Sequence, residues 1–243
     1  MLEKCKGIVL QTIPYSENSL VLKCYTDAYG LQSYMVNGIR GKSAIVKPSY
    51  LQTLTLLDLE VYHQQNKNLQ RIKEIKCLPI LQSLHFNPYK RTVVMFVAEL
   101  LGKIVREESQ PDAQLFAFLH TAIQMADVSE GKLANFPAYF MVHLSKYLGF
   151  FPKDNFNELA TDFSLQEGVF IANAPNTKDY CKGEIAKELY QILNLTLAEA
   201  LNDNIQLKYR KILLDKMLRY YQLHLLLFGE LKSPQILHDV FAD

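Results

Sequence analysis

The chain has 243 residues, 49% of them hydrophobic and 21% charged, with a formal net charge of +1; this is ordinary for a folded globular protein and excludes disordered and collagen-like classes. No uncharged apolar run approaches the roughly 18 residues of a membrane span, and Glu3, Lys4 and Lys6 stand where a signal peptide needs its apolar region, so the expected location is the cytoplasm. The four cysteines, Cys5, Cys24, Cys77 and Cys181, form no CxxC pair, so reduced and mostly buried thiols are expected, not a disulfide framework or a four-thiolate zinc site.

In chain order, the first signals are strands. Gly7 to Ile13 and Ser19 to Tyr25 are rich in β-formers, and Asp27-Ala28-Tyr29-Gly30 turns the chain into a third run, Leu31 to Val36. A fourth run, Tyr50 to Tyr62, changes phase between Leu54, Leu56 and Leu57, Leu59, Val61. Because a strand has a side-chain period of two, that slip predicts a β-bulge near Leu56-Leu57. Asn66-Lys67-Asn68 then turns into a fifth run, Leu69 to Leu78. Five short strands with no long helix between them predict a small barrel of the OB type over residues 1–79.

From Pro79 onward the period changes to that of helices, over residues 80–243. Asn87-Pro88 is an N-cap followed by proline at the first helical position, leading into the stripe Val97, Leu100, Leu101, Ile104, Val105. Pro111-Asp112 opens a second helix and Pro137 a third that stops at Gly149. Residues 150–182 read as an irregular insertion. Gly183 to Leu193 is a short helix, Thr196-Leu197-Ala198-Glu199 is a capping box, and the longest helix is expected from Asn204 to Phe228, where Gly and Pro are absent.

The small net charge conceals an asymmetry. Residues 1–79 carry ten Lys/Arg against six Asp/Glu, and residues 80–243 carry sixteen against nineteen. Positive charge thus sits on the barrel half, the distribution expected of a nucleic-acid-binding barrel. Its focus is Gly38-Ile39-Arg40-Gly41-Lys42-Ser43, where glycines permit close backbone approach to a phosphate, Arg40 and Lys42 supply charge and Ser43 a hydroxyl. The spacing is not that of a nucleotide-hydrolysing P-loop. A solvated turn is the competing reading. Lys6, Lys23, Lys47, Arg71 and Lys73 are companion candidates, interleaved with Tyr15, Tyr25, Tyr29, Tyr34, Tyr50 and Tyr62, rings on which bases can stack or which can pack into the barrel. The six histidines are scattered, no HExxH or GxSxG pattern occurs, and Glu107-Glu108 lacks a third acidic ligand, so neither an enzyme nor a metal cofactor is expected.

Several segments resemble the RecO family of bacterial recombination mediators: Gly7-Ile8-Val9-Leu10, Tyr15-Ser16-Glu17-Asn18, Thr26 to Gly30, Gly38 to Ser43, Tyr147-Leu148-Gly149-Phe150-Phe151-Pro152, Arg210 to Leu214, and Tyr220 to His224. The order and spacing of these segments over more than 200 residues carry the resemblance. It implies an α+β multidomain protein, an OB-type barrel followed by a mainly helical domain with a degenerate zinc-finger-like hairpin insertion. It also implies a non-enzymatic, nucleoid-associated mediator that binds single- and double-stranded DNA, anneals complementary strands, contacts the single-stranded DNA-binding protein, and acts with RecR to help load RecA. Many relatives hold zinc with two CxxC-type pairs after the Leu-Gly-Phe segment. Here residues 153–181 offer only Cys181, so the hairpin at Asp162 to Asn173 is expected to be held by Phe163, Val169 and Phe170. The acidic, apolar-ending tail of the single-strand binding protein needs an apolar pocket rimmed by cations, for which Lys103, Arg106, Lys208, Arg210, Lys211 and Arg219 are the candidates. The alternative is a helical interaction adaptor whose barrel binds a protein partner instead of DNA.

Overall fold

The computed structural model describes residues 2–38, 46–65, 67–105, 110–202 and 208–241. Arg40, Lys42, Ser43 and Arg106, and the Glu107-Glu108 pair, lie outside the described residues. Backbone contacts divide the chain into two compact units, Met1–Val128 and Ser129–Asp243.

The first unit begins with five strands, β1 (Leu2–Ser16), β2 (Ser19–Thr26), β3 (Gly30–Asn37), β4 (Leu56–Tyr62) and β5 (Leu69–Cys77). They close in the order β1-β2-β3-β5-β4, with β4 returning to β1. Neighbours are antiparallel except β3 and β5, which run parallel. A closed five-stranded barrel with this order has the OB topology. Alternate residues point inward, so Cys5, Val9, Leu22, Cys24, Tyr34, Leu57, Leu59 and Val61 fill the interior. Each such side chain contributes about 1.5–3 kcal/mol of burial.

β1 starts five residues earlier than its β-rich segment suggests. Leu2 to Lys6 has weak strand composition, but it pairs residue by residue with β4, from Leu2 opposite Tyr62 to Ile8 opposite Leu56. The fourth run is a correction. The chain before Leu56 is not strand: Pro48–Leu51 forms a 3-10 turn with proline at its start, and Leu54 has φ 63° while its N–H donates to the Val9 carbonyl. The phase change in the leucines reflects that turn. The register shifts fall elsewhere: at Leu10 in β1, between the Val9 and Gln11 pairings, between the Pro14 and Ser16 pairings of β1 with β2, and between the Glu60 and Val61 pairings of β4 with β5.

Two helices complete the unit, α1 (Pro88–Ile104) and α2 (Ala113–Val128). Asn87 caps α1 by accepting from the Tyr89 and Lys90 N–H groups, and Asp112 accepts from the Gln114 and Leu115 N–H groups at 2.8 and 2.9 Å. Tyr25, on the outer face of β2, packs on Phe116 of α2. A buried knot ties the segment after the barrel to both helices. The Asp127 carboxylate accepts from the backbone N–H groups of Gln82, Ser83 and Leu84 at 2.7–2.8 Å, and Lys90 Nζ donates to Ser83 Oγ and the Asp127 carbonyl. Burial pushes the Asp127 carboxyl up, but these three donors and Lys90 together hold it below its ordinary value. Backbone contacts group α1 and α2 with the barrel in the first unit.

The second unit holds α3 (Phe136–Leu144), a three-stranded sheet of β6 (Asp162–Ser164), β7 (Val169–Ile171) and β8 (Tyr180–Cys181), then α4 (Glu184–Asn194), α5 (Leu197–Ala200), α6 (Arg210–His224) and α7 (Ser233–Val240). The capping box at Thr196 and Glu199 forms. The β6–β7 hairpin rests on apolar packing. Phe163 and Phe170 are buried and meet edge to face at 4.9 Å, Asn155 brackets the Phe170 backbone with two hydrogen bonds of 2.9 Å, and Asp162 accepts from the Ala174 and Gly183 N–H groups. Gly168 turns the hairpin at φ +67°, and a Cβ there would lie 2.7 Å from the Tyr220 hydroxyl. The expected long helix is shorter. It occupies Arg210–His224, because beyond Leu225 the chain turns to bury Phe228 beside Tyr221, and a separate helix, α7, follows.

Candidate nucleic-acid interface

Strand register sorts the barrel's outer residues onto two faces. On the first, Ile13 lies opposite Val21, Val21 opposite Met35, Met35 opposite Arg71, and Arg71 opposite Tyr62. The neighbouring row runs Gln11, Lys23, Ser33, Leu69. These nine positions include two cations, several half-exposed apolar side chains and no acid; Ile13 and Leu69 are 38% exposed and Tyr62 47%. The β1 bulge creates this face. Val9 points into the barrel, and one extra residue, Leu10, makes Gln11 and Ile13 point out.

The second face lies across β1, β4 and β5 and has the opposite character. Lys4 is opposite Glu60 and Glu60 opposite Glu74; Lys6 is opposite Asp58 and Asp58 opposite Lys76. Lys73 Nζ is 2.9 Å from Glu60 and Lys76 Nζ 2.7 Å from Glu74. Each partner stabilises the charged form of the other, so the Lys73 and Lys76 ammonium groups are held above their ordinary value and the Glu74 carboxyl below its own. With Asp27, whose carboxylate accepts from the Lys6 backbone N–H at 2.9 Å, Lys4, Lys6, Asp58, Glu60, Glu74 and Lys76 line a cleft of about 400 Å³. Cations in such a ladder neutralise neighbours and give little net attraction for a polyanion.

The candidate set thus separates. Lys23 and Arg71 share the acid-free face; Lys6 and Lys73 belong to the charge ladder. Lys47 is exposed, with Nζ 6.0 Å from the centroid of the Tyr50 ring. The residues that flank the basic loop are firmly placed. Gly38, at φ 71°, donates its N–H to the Asn18 carbonyl in the β1–β2 turn at 2.9 Å, and Val46 is buried in the barrel core. The tyrosines divide as well: Tyr34 and Tyr25 are buried, while Tyr15 is 69% exposed. Sequence reading missed Gln11, Ile13, Val21, Met35 and Leu69. Their types are unremarkable for strands, and only register shows that they share a face.

In the second unit, Arg210 and Lys211 come together on a shallow depression between α3, α6 and α7, floored by Pro137, Ala138, Leu214, Leu237 and Phe241 and edged also by His238. Arg210 Nη2 donates to the Phe241 carbonyl at 3.1 Å, and His238 Nε2 lies 3.0 Å from Asp215. Arg219 is engaged elsewhere: its guanidinium meets Asp179 at 2.7 Å and holds that carboxyl below its ordinary value. Lys208 sits 5.2 Å from the centroid of the Tyr209 ring, and Lys103 belongs to the last turn of α1, in the first unit. Cys5, Cys24 and Cys181 are buried free thiols, and burial raises each well above its ordinary value. Among the described residues no group of three or more His, Cys, Asp and Glu could hold a metal ion, and no helix is long and apolar enough to cross a membrane.

A closed barrel of OB topology with one acid-free outer face, followed by a helical unit with a small sheet, defines an OB-fold protein of two units. The family model described as Recombination protein O N terminal matches residues 1–80, and that described as Recombination protein O C terminal matches residues 85–234. The chain belongs to the RecO family. Among its relatives, the DNA repair protein RecO of Flavobacterium psychrophilum is 34% identical over 98% of this chain and 99% of its own length. Those of Azobacteroides pseudotrichonymphae and Christiangramia forsetii are 31% and 33% identical, each over nearly the whole of both chains.

Proposed function

We propose that this chain is a non-enzymatic DNA repair and recombination mediator: it binds single- and double-stranded DNA, anneals complementary strands, and helps load RecA, with RecR, onto DNA coated by single-strand binding protein. The observation that carries the reading is the acid-free face of Ile13, Val21, Lys23, Met35 and Arg71, which leads along β3 toward the anchored ends of the loop containing Arg40, Lys42 and Ser43. Small barrels bind single strands by combining positive charge along the backbone's path with aromatic platforms, and this face supplies the cations Lys23 and Arg71 and the half-exposed Tyr62 ring. Lys6 and Lys73 contribute little, because acids stand beside them. Lys47 extends the positive surface beyond the loop.

The depression holding Arg210 and Lys211 is the receptor for the acidic tail of the single-strand binding protein. Its apolar floor suits a terminal apolar side chain and its basic rim suits the carboxylates before it. Lys208 and Arg219 do not line that depression. The test is strand annealing and binding with oligonucleotides, bare and coated by the cognate single-strand binding protein. Salt-sensitive binding of bare DNA, and annealing of the coated strands that is lost in an Arg210→Ala/Lys211→Ala variant, are the expected results. Absence of salt-dependent DNA binding would favour the protein-adaptor alternative.

A further inference from the structure

The Gln11-Lys23-Ser33-Leu69 row does not stop at Ser33. There it runs into a cleft of about 490 Å³ at the end of β3 remote from the basic loop, where the β2–β3 turn, the β4–β5 connection and Gln110-Pro111 meet. One wall is a stacked pair. The Tyr29 and His63 rings lie 3.8 Å apart at an interplanar angle of 13°. Around them stand the amides of Gln32, Gln65 and Asn68; among the described lining residues Lys67 is the one charged side chain, and it is positive.

The frame is rigid where it needs to be. Gln32 Nε2 donates to the Tyr29 carbonyl at 3.0 Å, which fixes the turn that holds the ring. Gln70 accepts from the Gln64 N–H and donates to the Gln64 and Lys67 carbonyls, which fixes the β4–β5 connection. Burial holds the His63 imidazole below its ordinary value, which favours its uncharged form.

A nucleobase is a flat π system whose edges carry both donors and acceptors. Rings stack on it without regard to its identity, and carboxamides, which both donate and accept, match either kind of edge. The volume falls within the range of small-ligand clefts, about 300–1,000 Å³. The cleft on the charge-laddered face has a similar size but presents Asp27, Asp58, Glu60 and Glu74 interleaved with Lys4, Lys6 and Lys76, a lining of paired charges with little attraction for an anionic strand. We propose that the Tyr29–His63 cleft is a base-binding subsite, which takes one unstacked base of a single strand whose backbone crosses the Lys23 and Arg71 face. The inference rests on the DNA-binding reading above and adds a contact that is made to a base and not to phosphate.

The test compares the full chain's affinity for a short oligothymidine with that for an abasic strand of equal length. The base-bearing strand should bind about tenfold more tightly, the scale of one lost stacking platform. Gln65→Ala/Asn68→Ala changes two exposed side chains and should remove most of that preference while leaving the salt slope unchanged, as should His63→Leu. Equal binding of the two strands, or a preference untouched by both variants, with the salt slope intact, sinks the subsite and leaves the DNA-binding reading standing. Thymidine monophosphate that binds the cleft and is not displaced by the oligonucleotide assigns the site to a free nucleotide and overturns the strand assignment. Failure of both strands to bind takes down both proposals.

Discussion

The two outer faces of the barrel are made by overlapping strands and both carry cations, four on one and two on the other, yet their electrostatics are opposed. Across β1, β4 and β5 the cations Lys4, Lys6, Lys73 and Lys76 are interleaved with Asp58, Glu60 and Glu74. Across β1, β2, β3 and β5, Lys23 and Arg71 stand among apolar and neutral side chains. Counting charge along the chain cannot separate these cases, because the sign of a face depends on which residues the register sets opposite one another. For a polyanionic ligand the acid-free face is the attractive one, although it holds fewer cations.

The strongest way to break this comparison is to move the boundary between inside and outside. Inserting one alanine between Lys23 and Cys24 gives Leu10 a partner and removes the bulge, so either Gln11 and Ile13 must turn inward or Cys5 and Val9 outward. Exposing the latter pair costs about 1.5–3 kcal/mol for Val9 alone, a large part of the roughly 5–15 kcal/mol that stabilises a domain. The expected outcome is loss of cooperative thermal unfolding by circular dichroism; an unshifted melting curve would mean that the bulge does not set the face.

Charge reversal tests the face itself. Lys23→Glu/Arg71→Glu should weaken oligonucleotide binding by at least about tenfold at moderate salt, since two attractive contacts become repulsive. Retention of affinity in a folded variant would place the DNA elsewhere. Neutralising the loop is a milder change. Arg40→Ala/Lys42→Ala should lower the slope of log affinity against log salt by about two phosphate contacts, with little dependence on sequence. An unchanged slope identifies the loop as a solvated turn.

The laddered face should respond least. Lys6→Ala/Lys73→Ala removes as many positive charges as the loop variant, but its expected effect on affinity is under about twofold, because exposed paired charges contribute little. A loss equal to that of the loop variant would erase the distinction between the faces. Glu60→Gln sharpens it from the other side: Lys73 loses its partner at 2.9 Å, and affinity should rise slightly, by about twofold or less. Fluorescence anisotropy at fixed salt measures both.

The helical unit repeats the lesson. Arg210 and Arg219 belong to one helix and look alike in sequence, but Arg219 projects to Asp179 while Arg210 reaches the rim of an apolar depression completed by α3 and α7. Neither outcome depends on anything within α6 alone.

Much of this protein was legible in its sequence because the signals are local. Period-two runs punctuated by Asp27 to Gly30, the Asn87-Pro88 cap, the Thr196 to Glu199 capping box and the aromatic pair Phe163 and Phe170 each encode their element through steric and hydrogen-bonding preferences within a few residues. What the tertiary structure alone decided is non-local. The strand at Leu2–Lys6 exists because β4 pairs with it, the end of α6 because Phe228 has a buried place to go, and the outward turn of Ile13 because one extra residue stands opposite Cys24 and Lys23. A single-residue offset changes no composition and no motif, but with a side-chain period of two it exchanges core for surface, and so determines which cations a ligand can meet.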